Sequence, residues 1–417
     1  MSKTAEYRAR LYAVKDGGRR TYGWLALIAL GLLGGLYGIA RVLLEGTVVL
    51  GITSQLPWGI LISTYEFFLL TSAGIVIGIV ALSLVFGIER FDLVAKRAMV
   101  LALATLAAGL FTILIGLGRP ERPAIHALIN ANPSAPIWWV IMFAGGFGAV
   151  LVALLLVVEI DRLRLPRLAF AVGALGLLAA IAVTIAAGMI FGTIQARPYY
   201  GGALAPLYFL LTGVFSGVAA VGLVVAIEDA VTAREVSGEL RTLLTEYIGK
   251  GLGALAGAVL IVALVKALYG LTATSDSTAM AYEHMLLGSF APIYWGLGIF
   301  IGLIVPILLM ASPKTRTTTG VLAASAAALV GLFVTRYEFV VGGQVVALVA
   351  DPSYQYPLVS YVPSHVEIAL IVFALALCAL VYTAGTFLLD TDQRPPRTED
   401  KPMTTTTTTP TGGTDDD

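Results

Sequence analysis

One cysteine and three histidines are all the soft metal ligands in this chain of 417 residues. Cys378 has no partner for a disulfide and cannot hold a cluster. A diheme site needs four axial ligands, and three histidines cannot supply them. Their positions near helix ends are unsuited to a single bis-histidine heme as well. No metal-ligand spacing, P-loop or glycine-rich dinucleotide fingerprint occurs. Charge is scarce: 12 % of residues are charged, against roughly 25 % in a soluble domain. The net charge is zero, so there is no basic footprint for nucleic acid.

What the chain has instead is apolar length. Hydrophobic residues make up 58 % and the mean hydropathy is +0.90, so lipid must replace water around much of the molecule. Ten runs approach the roughly 20 residues that a bilayer core requires. They cover 22–44, 58–87, 98–118, 137–158, 168–193, 203–227, 251–271, 290–311, 319–335 and 365–389. The expected fold is therefore all-α: a polytopic membrane domain over 22–390, open to division into two related four-helix bundles plus an extra helix pair. Residues 1–21 would be a cytoplasmic N-terminal segment. The polar, low-complexity tail 391–417 would be disordered in the cytoplasm. No cleavable signal peptide is evident.

Lys and Arg test the count independently. Of the 26, twenty fall in the N-terminal segment, the tail and every second connection, whereas the alternate connections hold Arg119, Arg122, Arg197 and Arg336. The positive-inside rule then puts both termini in the cytoplasm of a cell that carries the chain in its plasma or inner membrane. All three histidines, His126, His284 and His365, fall on the outer side.

Five helices descending from that side share a start: "LPWGI" (56–60), "APIWW" (135–139), "APLYF" (205–209), "APIYW" (291–295) and "VPSHV" (362–366). Proline suits a first helical position, and Trp and Tyr suit the headgroup level, so capping and interface chemistry account for the recurrence. "FFLLT" (67–71) and "YFLLT" (208–212) add weak support for a parallel repeat of four helices. Either way, five helix N-termini offer partial positive charge on the outer side, favourable for a carbonyl or an anion.

Glu66 lies eight residues into the second run, about 12 Å along its axis. Its short stem cannot snorkel, so pairing or function is expected there. Arg41 and Lys266, nearer the outer ends of their runs, have stems long enough to reach the headgroups. Arg336 and Glu338 in "TRYEFVVGGQ" (335–344), and His365 and Glu367 in "PSHVE" (363–367), complete an outer-side crowd of protonatable groups. An apolar cofactor that exchanges protons and takes hydrogen bonds on two carbonyls is a quinone, and Trp58, Tyr65, Glu66 and His126 offer the ingredients for one.

"PWGILISTYEFFLLTSAG" (57–74), "GLGRPERP" (116–123) and "RYEFVVGGQ" (336–344) resemble the quinone-reactive membrane subunits of the NrfD and polysulfide-reductase (PsrC) type. The ten-helix pattern resembles the HybB and alternative complex III branch. The resemblance implies a heme-free subunit that binds menaquinone or ubiquinone near the outer face. It also implies docking to an extracytoplasmic iron–sulfur subunit, itself joined to a molybdopterin enzyme or a hydrogenase. Glu66 would be the catalytic residue, with Trp58, Tyr65, Arg119 and His126 at the quinone. Glu66, Lys266 and Glu338 would carry protons, and Arg122 and Arg336 would dock the partner. Eight-helix relatives can place a first-helix histidine at the quinone, and this first helix has none. A secondary transporter is the competing reading, and an inert anchor is disfavoured by Glu66 and Lys266.

Overall fold

The computed structural model describes residues 18–119, 122–231, 238–273, 276–348, 357–391 and 393–396. Most of the N-terminal segment and most of the tail fall outside the described residues. Among those described, ten helices are long and apolar enough to span a membrane. They are α1 (Arg19–Val49), α2 (Ile60–Leu84), α3 (Glu89–Gly116), α4 (Pro136–Glu159), α5 (Pro166–Gly192), α6 (Leu204–Glu228), α7 (Gly238–Leu271), α8 (Pro292–Ala311), α9 (Thr318–Gly342) and α10 (His365–Leu388). The chain is an all-α, multi-pass membrane protein. Two shorter helices, Arg122–Ile129 and Asp276–Leu286, precede α4 and α8.

Three spans outrun their apolar runs, for a common reason. α3 begins in a charged stretch because its charges find partners. Ser83 Oγ donates to Asp92 at 2.5 Å, Lys96 to Glu159 at 2.5 Å, and Arg97 to Glu228 at 2.9 Å. α7 likewise starts well before its apolar run, and its Glu246 pairs with Arg316 at 3.2 Å and Lys250 at 2.7 Å. α9 continues through Arg336 and Glu338, its last turn widening to π geometry over Glu338–Gly342. Both residues, read from the sequence as part of an outer loop, are helical and buried.

The shared helix starts resolve into three arrangements. Pro136 and Pro292 occupy the first turns of α4 and α8. Pro206 lies inside the first turn of α6. Before α2 and α10 the proline stays outside the helix, which begins at Ile60 or His365.

Packing is centred on α2 and α6. They cross where a Cβ on Gly74 would stand 1.8 Å from the Gly213 carbonyl oxygen, and one on Gly217 would stand 2.1 Å from the Gly74 carbonyl carbon. Only glycine allows that backbone contact, the usual device for close approach of membrane helices. α5 packs on α6 and α9 on α2. α1 and α10 form a peripheral pair, with Gly35 of α1 seated on Phe373.

The ends of the helices differ in charge. At the basic-rich end Lys96 also donates to Gln393 at 2.9 Å, Arg164 donates to the Arg394 carbonyl at 2.8 Å, and Arg394 meets Glu239 at 3.3 Å. Residues 393–396 thus dock onto the bundle, so the tail expected to be disordered from 391 is ordered at its start. At the basic-poor end, Arg197 joins three segments by donating to the carbonyls of Gln55, Gly343 and Val346.

Candidate functional site

α2 enters the bundle without a side-chain cap of its own. Gly59 is its N-cap residue, and no side chain of that residue is there to accept. The exposed helical donors are met by tertiary contacts. Ile60 N–H donates to the Tyr361 hydroxyl at 2.8 Å, and that hydroxyl donates to Glu367 Oε1 at 2.7 Å. Burial, and next the neighbouring carboxylate, push the Tyr361 phenol above its ordinary pKa, so it stays protonated and can do both. Glu367 Oε2 accepts from Gly51 N–H at 2.9 Å and Ser364 N–H at 2.8 Å, the latter as part of a capping box on α10. A Cβ on Gly59 would meet the Tyr361 oxygen at 2.5 Å, so this approach requires glycine.

Six residues further, about 9 Å along the axis, comes Glu66. It is 1 % exposed, and its Oε2 has no hydrogen-bond partner. Facing it electrostatically is Arg336 of α9, 2 % exposed. The Arg336 guanidinium lies 4.4 Å from the Phe209 ring centroid, makes a short contact from Nη2 to Thr212 Oγ1, and leaves Nη1 unpartnered. One buried acceptor and one buried donor therefore stand open where α2, α6 and α9 meet.

An aromatic cluster runs from this point to the helix start. Phe209 packs on Phe191 and Phe339, and Phe191 takes the Trp58 ring edge-on at 5.3 Å. Beside the cluster a second polar pair forms. Lys266 of α7 reaches Glu338 Oε1 at 3.5 Å, and its Nζ sits 4.1 Å from the Tyr199 ring centroid and 4.7 Å from that of Phe339. Snorkelling was the simpler expectation for Lys266; the side chain instead turns into the protein, where aromatic faces and a carboxylate receive it. Glu338 borders a cavity of about 10 Å³, shared with Tyr208, Tyr294, Gly298 and Thr335, which is room for about one water.

The residues singled out in the sequence thus divide. Trp58, Glu66, Lys266, Arg336 and Glu338 converge on one region. Tyr65 is buried in the main core, but a helical neighbour of Glu66 points to another face. Arg119, Arg122 and His126 are exposed on the segment before α4, where His126 pairs with Asn130 at 3.0 Å. Among the described residues they share no hydrogen bond or ion pair with Glu66. Arg336 is enclosed, 2 % exposed, so a surface role in docking a partner does not suit it. Thr212 and Gln344 were missed, although both lie in quoted stretches, "YFLLT" and "RYEFVVGGQ". Neither is charged, and only the fold shows what they touch. No group of three or more His, Cys, Asp or Glu able to hold a metal occurs among the described residues.

A family model described as "Polysulphide reductase, NrfD" matches residues 48–348, which takes in α2 to α9 and leaves out nearly all of α1 and the whole of α10. The selenate reductase C protein of Mesobacillus selenatarsenatis, one component of that reductase, is 27 % identical over 318 residues, 65 % of this chain and 70 % of its own. The Hdr-like menaquinol oxidoreductase integral membrane subunit of Archaeoglobus fulgidus is 25 % identical over 357 residues, 81 % of this chain and 86 % of its own. The putative dimethyl sulfoxide reductase membrane subunit of Halobacterium salinarum is 27 % identical over 425 residues, 90 % and 93 % of the two chains.

Proposed function

The chain belongs to the polysulphide reductase NrfD family, and on that premise we propose that it is the quinone-reactive membrane subunit of a multi-subunit oxidoreductase. The observation that carries the reading is the pair of open polar atoms, Glu66 Oε2 and Arg336 Nη1. A buried polar atom left unpaired costs about 1–3 kcal/mol, and two of opposite character on facing helices suit a ligand with both kinds of group. A quinone headgroup accepts through its carbonyl oxygens, and the quinol donates through its hydroxyls. Arg336 Nη1 would hold a carbonyl oxygen, Glu66 would accept from a hydroxyl, and the Phe209–Phe191–Trp58 cluster would flank the ring. When bound, the quinone supplies exchange of two electrons and two protons.

Glu66 takes a proton from the quinol hydroxyl, and the Lys266–Glu338 pair, with the adjoining water-sized cavity, passes protons toward the basic-poor end. By the distribution of Lys and Arg that end faces outward, with both termini in the cytoplasm. The two electrons pass to a partner, because one cysteine and three scattered histidines give this chain no ligand set for a redox metal centre. An extracytoplasmic iron–sulfur subunit connected to a molybdopterin enzyme or a hydrogenase fits that need. Exposed Arg119 and Arg122 supply positive charge for its docking. The relatives named above, components of selenate, menaquinol and dimethyl sulfoxide oxidoreductases, support this over solute transport.

The test is purification with native partners, a metal and heme assay, and titration with reduced menadione or decylubiquinol. Iron–sulfur signal without heme, and quinol oxidation abolished by Glu66→Gln in an intact complex, would support the reading. A chain that purifies alone, binds no quinone and moves a solute into liposomes would overturn it.

A further inference from the structure

Gln344 ties the two halves of the candidate site together. Its side chain is 1 % exposed and grips Trp58 twice: Trp58 N–H donates to Oε1 at 3.2 Å, and Nε2 donates to the Trp58 carbonyl at 2.8 Å. The same Nε2 donates to the Val340 carbonyl at 2.8 Å, and the Gln344 backbone N–H donates to Val341 O at 2.9 Å. Gln344 is thereby locked to the last turn of α9, a few residues beyond Arg336 and Glu338. Trp58 in turn is the second residue before α2, whose seventh residue is Glu66.

The covalent path from Arg336 to Gln344 and the path from Trp58 to Glu66 are both stiff, one a hydrogen-bonded helix end and the other a helix start. The amide clamp closes these paths into a ring, and the gap between Arg336 and Glu66 is the remaining side of that ring. Because α2 has no cap of its own, its axial position depends on such outside contacts. The Tyr361–Glu367 pair fixes the Ile60 end against α10, and Gln344 fixes it against α9, the helix that bears the other half of the site.

We propose that Gln344 is a positioning residue that sets the separation of Glu66 from Arg336, and so the fit of the quinol headgroup between them. This rests on the quinone reading above. Gln344 touches no substrate. Loss of its amide would let α2 shift against α9, and misplacement by about 1 Å can cost up to roughly a hundredfold in rate or affinity.

The experiment compares Gln344→Leu with Lys96→Met in the purified complex. The second change weakens the fold at the far end of the bundle and touches nothing in the site. Oxidation of reduced menadione and of decylubiquinol is followed alongside thermal unfolding. Gln344→Leu is expected to raise KM about tenfold or more, and its effect should not add to that of Arg336→Lys, since both act on one distance. Lys96→Met is expected to lower Tm at unchanged KM. If Gln344→Leu does not assemble, Gln344→Asn keeps the amide but shortens the reach, and is expected to raise KM by a smaller factor. A wild-type KM in the variant that assembles, whatever its Tm, would overturn the positioning role alone. A wild-type complex with no quinol turnover would overturn the functional reading and this inference together.

Discussion

Buried charge occurs at both ends of this bundle, and the two ends treat it differently. At the basic-rich end Lys96, with no exposed surface, meets Glu159 and Gln393, while Glu228 receives both Arg97 and the Tyr382 hydroxyl at 2.6 Å. Each of these charges meets an opposite charge, which is how a protein makes buried charge tolerable. At the other end Glu66 and Arg336, equally buried, leave Oε2 and Nη1 open. A charge with its partners supplied by the fold has a structural reason to exist. One with an atom left open has no such reason within the fold, and the proposed quinone site draws on that difference.

The widest separation should come from opposing substitutions at the two ends. Arg336→Met is expected to reduce quinol turnover by about a hundredfold or more, as loss of a buried charge-assisted contact to the reacting molecule does. Turnover is to be taken per folded complex, because removing the guanidinium also deprives buried Glu66 of its facing charge and Thr212 of its contact. A folded complex with full turnover would erase the contrast. Lys96→Met should behave in the reverse sense. It strands Glu159 and is expected to cost about 3 kcal/mol in denaturant unfolding, with turnover per folded complex unchanged. Adding Glu159→Leu should recover most of that loss.

A smaller effect sharpens the boundary between binding and proton movement. Glu338→Gln keeps the shape of the pair with Lys266 but removes a carboxylate, and is expected to slow turnover roughly tenfold without raising KM. A KM effect instead would move Glu338 into the headgroup site. The smallest effect concerns His284, which lies outside the spans with Ser289 Oγ 3.2 Å from Nε2. Burial lowers its pKa below 6.5. As pH falls through 6.5 the unfolded chain therefore binds a proton that the folded chain resists, and stability declines. His284→Gln should flatten that decline in a series of melting curves, with no change at pH 8.

How much of this was legible beforehand follows from what periodicity and composition can carry. The ten spans were readable because hydropathy is a property of a segment. Span ends were not, wherever charge is neutralised by a distant partner: Lys96 looks like a loop residue until Glu159 and Gln393 are seen beside it. Glu66 announced itself as a short acidic side chain in a greasy run. Arg336 misled, because "TRYEFVVGGQ" has the charge of a loop, while its burial depends on Thr212 and Phe209, over a hundred residues earlier in the chain. Gln344 and Tyr361 carry no signal at all in one sequence. Their importance lies in the backbone atoms they meet.

The contact between Gln344's opposite number at the other end, Gln393, and Lys96 has a consequence in time. Lys96 lies near the start of α3, and its amide partner follows α10. During synthesis seven further spans must be inserted before that lysine can be fully enclosed, so this stitch of the bundle is made only after α10 has emerged. Fusions joined before Gln393 would leave Lys96 without its amide partner in every copy, whereas those joined after Arg394 would keep the seam.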